Sequence, residues 1–109
     1  MRSLPSVRII SDNNALVLQA ASEYATRLKQ RPEVKAVYLC GSRAKRTHTP
    51  FSDADILVLI DRDSRRPGDR SPEYMPDRFP VGVDLFVYTE EEAKARPFVQ
   101  QLLFEAIEL

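Results

Sequence analysis

The chain has 109 residues, 43% of them hydrophobic, with 16 basic against 16 acidic side chains and one cysteine. That length suits one domain, expected over 1–109, with one modest core. The even charge argues against a nucleic-acid duplex as partner, since duplex binders carry a basic excess, but it leaves room for a single nucleotide held by a local cluster.

A lone cysteine, Cys40, allows no internal disulfide, which fits a reducing compartment. No stretch approaches the roughly 20 apolar residues of a membrane helix. Met1-Arg2-Ser3-Leu4-Pro5 opens no signal peptide. The expectation is a cytoplasmic protein with no membrane partner.

Residues 12–30 predict a helix capped by Ser11 or Asp12, because Val17, Ala21, Tyr24 and Leu28 recur at helical spacing. Val7, Ile9 and Ile10 ahead of it are candidates to cover part of the core. Pro32 stops the helix. Residues 34–40, Val-Lys-Ala-Val-Tyr-Leu-Cys, predict a strand that ends at Gly41. Ser42-Arg43-Ala44-Lys45 can begin one helical turn, and 46–52 read as loop. Residues 54–60 are nearly all apolar and predict a central strand covered on both faces.

Residues 61–80 show no period and hold four of the eight prolines, which predicts a long loop: either mobile and solvated, or a lid over a ligand. Residues 81–89 predict a third strand. Thr89 can cap a helix over 90–95, with Glu90, Glu91 and Glu92 in its first turn. From Pro97 a last helix is expected to run toward Leu109. Its apolar content is either core or a patch for a partner or a second copy.

The chemistry concentrates in three places. Asp53 and Asp55 lie two residues apart at the head of a strand, so both carboxylates should share a face. Like charges side by side persist best when a cation holds them, and oxygen ligands favour Mg²⁺ or Mn²⁺. Asp84 falls inside the apolar run Val81–Tyr88, where an unpaired carboxylate costs several kcal/mol. A metal shared with Asp53 and Asp55 would satisfy it; so would an arginine from elsewhere. Gly41-Ser42 ends a strand with a turn whose amide N–H groups can cradle phosphate oxygens. Arg43, Lys45 and Arg46 add positive charge beside that turn, fitting a triphosphate. Two divalent ions at such a site can stabilise the attacking and leaving oxygens of an in-line displacement on phosphorus, with Asp84 placed to take the proton of the entering hydroxyl. His48 reads as surface decoration and Cys40 as a small buried hydrophobe.

Gly41-Ser42, ten intervening residues, Asp53-x-Asp55 and a later Asp84 resemble the signature of the nucleotidyltransferase (DNA polymerase beta) superfamily. The run from Gly41 to Val58 is similar to its small one-domain members, the minimal nucleotidyltransferases. The resemblance implies an α/β (α+β) fold with a small mixed β-sheet flanked by helices. It implies ATP as substrate with Mg²⁺ as cofactor, and transfer of AMP to a hydroxyl. Asp53, Asp55 and Asp84 would be the metal ligands, and Gly41 and Ser42 the phosphate holders. It also implies pairing with a HEPN-domain toxin, which some relatives silence as antitoxins by modifying a tyrosine.

Three features depart from the pattern: Arg46 where relatives commonly have glycine, no evident final strand before Leu109, and a long 61–80 segment. Two further readings stand beside the enzyme. One is a binding module that neutralises a toxin by occlusion. The other is a nucleotide-sugar enzyme, which would leave Gly41-Ser42 unexplained.

Overall fold

The computed structural model describes residues 13–109. The expected cap at Ser11 or Asp12 and the apolar Val7, Ile9 and Ile10 lie outside the described residues. Among the described residues, four strands form one mixed sheet in the order β3-β2-β1-β4. Strand β1 is Val34–Cys40, β2 is Ala54–Ile60, β3 is Val83–Thr89 and β4 is Ile107–Glu108. β1 pairs antiparallel with β2 and with β4, and β2 pairs parallel with β3.

Helices cover both faces. On one side, α1 (Asn14–Leu28) lays Val17, Tyr24, Ala25 and Leu28 against Val37, Leu39, Ile56, Val58, Ile60, Leu85 and Val87. On the other, α4 (Glu90–Ala95) and α5 (Pro97–Leu103) place Ala93 and Val99 over Cys40, Leu57 and Leu59. β2 is therefore buried on both faces, which explains its unbroken apolar run.

The central strands and the single turn α2 (Gly41–Lys45) fall where the apolar runs place them. Thr89 caps α4 in a full capping box with Glu92, whose side chain returns to the Thr89 amide at 2.9 Å.

Three expectations need correction. The 61–80 segment is not a long loop, because Pro67–Tyr74 forms a helix, α3. Its first proline occupies N1, where no amide hydrogen is needed. Tertiary contacts then hold it. Arg70, only 1% exposed, donates to Val87 O at 3.2 Å and to Glu92 Oε1 at 2.7 Å. Ser71 Oγ bonds Leu85 O at 3.2 Å, and Tyr24 Oη bonds Tyr74 O at 2.7 Å. α3 thereby satisfies carbonyls along β3, an edge strand that would otherwise offer them to another chain.

The last helix stops at Leu103 rather than running to Leu109, and Ile107–Glu108 add β4 to the edge of β1. Finally, Asp84 is exposed rather than enclosed in a core strand. β3 begins at Val83, so Asp84 stands at its open end, and the burial cost expected for it does not arise.

Candidate active site

β2 and β3 run side by side from a common end, and that end carries the acids. Asp55 is directly opposite Asp84 in the parallel register, and opposite Cys40 across the antiparallel one. Alternation along the strands puts Asp55 with Leu57 and Leu59, and Asp84 with Phe86 and Tyr88, on the face covered by α4 and α5. Asp53 precedes the strand and is exposed; Asp55 is half-buried.

The three carboxylates interact. Burial, then Asp84, then Asp53 push the Asp55 carboxyl above its ordinary value, and Asp55 and Asp84 approach closely enough to share a proton. Among the described residues none of the three is ion-paired with lysine or arginine.

The floor of the site is glycine. Gly41 has φ +65, a left-handed conformation that costs a side-chain-bearing residue about 1–2 kcal/mol. A Cβ there would also lie 2.3 Å from Asp55 Oδ2. Space and backbone both demand glycine at the point where the first strand turns into α2. Cys40, just before it, is fully buried, and burial and Asp55 push its thiol up to about 12, so it stays protonated and inert.

The basic residues of the turn separate. Lys45 is exposed and borders a small cavity of about 150 Å³ with Gly41, Phe98, Gln101 and Leu102. Arg43 does the opposite of what its position suggests. It is completely buried and bonds Ser52 O through Nε at 3.2 Å and Nη2 at 2.9 Å. Its Nη2 also reaches Pro50 O at 3.3 Å, and Nη1 bonds Asn13 Oδ1 at 2.8 Å. With its donors committed inward, Arg43 is a clamp on the 46–52 loop and not a phosphate ligand.

Asn13 caps α1 without a side-chain bond to the helix because that side chain serves the same clamp, donating to Pro50 O at 3.1 Å. Arg46 ends α2 at φ 63, the left-handed position that favours glycine. His48 is half-buried in this loop, with its Nδ1 unpartnered, rather than purely on the surface.

All the donors offered to a cation are oxygens, which suits Mg²⁺ or Mn²⁺. Among the described residues no group of three His, Cys, Asp or Glu side chains closes into a ready-made ligand set. Magnesium rarely asks for one: it is usually held by one or two carboxylates plus water and substrate phosphates. The unpaired, mutually repelling carboxylates above a glycine floor fit such an ion.

A larger cleft, about 670 Å³, lies at the opposite end of the same strands, lined by Asp61, Arg62, Asp63, Ser64, Thr89, Glu91 and Glu92. Size does not make it the site. Asp63 and Glu92 there are bound to arginines, and Glu92 is fixed in the capping box.

Residues 21–109 match the model of the nucleotidyltransferase domain family. This chain belongs to the nucleotidyltransferase family. No curated protein sequence matches it. Its fold is similar to the crystal structure of a candidate nucleotidyltransferase from Sulfolobus solfataricus, with a TM-score of 0.62 and 22% identity over 87% of this chain and 80% of that one. At that identity the likeness speaks for the fold. Among the described residues no helix is long and apolar enough to cross a membrane.

Proposed function

We propose that this nucleotidyltransferase moves a nucleoside monophosphate, AMP from ATP, onto a hydroxyl of a protein or small-molecule acceptor. The observation that carries the reading is the set of three carboxylates at one end of β2 and β3, unpaired and mutually repelling, with Gly41 beneath Asp55. Asp53 and Asp55 would hold divalent cations, with Asp84 as third ligand. Bound there, Mg²⁺ supplies positive charge to the α-phosphate and to the entering and leaving oxygens.

The chain's own groups do the rest. The amides of Gly41 and Ser42 bind phosphate oxygens at the turn. Lys45, exposed beside Gly41, balances charge on the departing pyrophosphate. Asp84, at the open end of β3, accepts the proton of the attacking hydroxyl. Incubating the protein with Mg²⁺ and ATP labelled at the α- or the γ-phosphate, with hydroxyl acceptors, tests this. Label should reach the acceptor from the α position alone; label arriving from the γ position would make the protein a kinase and sink the proposal.

One observation favours a protein partner, the setting a toxin–antitoxin role requires. Phe98 on α5, Phe104 just past its end and Ile107 on β4 are 49%, 66% and 38% exposed. That surface suits a protein partner such as a HEPN-type toxin, or a second copy of the chain. If neutralisation works by occlusion, the Asp53→Asn/Asp55→Asn variant still silences the toxin. If it works by transfer, that variant does not.

A further inference from the structure

Only three glycines occur in the chain, and two of them press against the aspartate pair. Gly41 lies under Asp55. Gly82, which the sequence did not single out, lies under Asp53: a Cβ there would stand 2.5 Å from Asp53 Oδ1 and 3.0 Å from its Cγ. The backbone at Gly82 does not demand glycine, since Gly41 alone among the described glycines has a left-handed φ. A side chain at 82 would force the Asp53 carboxylate to move from the position it holds.

The backbone around Asp53 is fixed on both sides. The carbonyl of Ser52 takes two bonds from the buried guanidinium of Arg43. The amide of Ala54 donates to Gly82 O at 2.8 Å. With both flanking peptides tied, the Asp53 side chain starts from a fixed backbone, and its carboxylate rests where a Cβ on Gly82 would lie.

We propose that Gly82 and Arg43 are positioning residues for Asp53, setting its carboxylate in the orientation that receives a cation while touching no nucleotide themselves. The inference rests on the nucleotide-transfer reading. Arg43 fixes where the residue starts. Gly82 fixes where the carboxylate comes to rest.

The test pairs binding with stability. Titration of a non-hydrolysable ATP analogue with Mg²⁺ compares wild type, Gly82→Ala and Arg43→Lys. Both variants should bind about 10–100-fold more weakly, the usual loss when a group orienting a metal ligand is removed. Metal-free melts compare wild type, Gly82→Ala, Asp53→Ala and the double variant. Any drop in Tm caused by Gly82→Ala should disappear in the Asp53→Ala background, because the added methyl then meets nothing.

Wild-type binding by Gly82→Ala, or a drop in Tm that persists without the Asp53 carboxylate, overturns the assignment. If Gly82→Ala does not fold, recovery of folding in the double variant decides the matter. If wild type itself shows no magnesium-dependent binding, the transfer reading falls, while the melts still report whether Gly82 acts through Asp53.

Discussion

The two ends of the β2–β3 pair carry acids in opposite circumstances. At the far end, Glu92 is held by Arg70 and by the Thr89 amide, and Asp63 by Arg65. At the near end, Asp84 and Asp53 both act on Asp55, and no described arginine or lysine pairs with any of the three. Both clusters look alike as composition. The partners separate them: paired acids hold the fold together, and unpaired ones store repulsion that a cation can relieve. The arginines obey the same rule in reverse. Arg43 and Arg70 are both buried, and each is tied to backbone carbonyls.

The sharpest break in this contrast is Asp55→Asn. It should abolish magnesium-dependent nucleotide binding and transfer, yet leave the metal-free Tm unchanged or raised, because a repelling charge is gone. A large drop in the metal-free melt would mean that Asp55 is structural.

Next comes Arg70→Ala at the far end. Removing the buried guanidinium leaves the Val87 carbonyl without its donor and the half-buried Glu92 without its counter-charge, which should cost about 1–3 kcal/mol, read by denaturant unfolding. Below its Tm the variant should still bind nucleotide.

Acid should separate the ends more gently. The Arg70 guanidinium holds Glu92 down to about 2 from an ordinary 4.5. Its contribution is present above the ordinary value and is lost as pH falls from about 4.5 toward 2. Asp55 is raised, so its sign is opposite: metal-free stability is lost as pH rises through its elevated pKa. Melts across pH should show Asp55→Asn removing only that second component.

The smallest effect is expected from Arg46→Gly. Releasing a left-handed arginine should stabilise by up to about 1 kcal/mol, part of the gain being offset by the greater freedom of glycine in the unfolded chain.

Much of this was legible beforehand. An unbroken apolar run at 54–60 marks a strand buried on both faces, and the acids at its head are visible in one line of sequence. Helix α3 was not, because the residues it buries toward the sheet are Arg70 and Tyr74 rather than aliphatics, and it contains Pro72. Strand β4 was not, because two residues carry no period. Arg43 read as a phosphate ligand because a basic residue beside a glycine turn has that appearance; its acceptors, Ser52 O and Pro50 O, belong to a loop whose return is a tertiary event. Gly82 was silent for the same reason.

The central claim is that the unpaired end is a cation and triphosphate site. Calorimetric titration with a non-hydrolysable ATP analogue, with and without Mg²⁺, on wild type and on Asp53→Asn/Asp55→Asn tests it most directly. The account predicts binding that requires Mg²⁺ and vanishes in the double variant. Binding that ignores Mg²⁺, or that survives loss of both carboxylates, would contradict it.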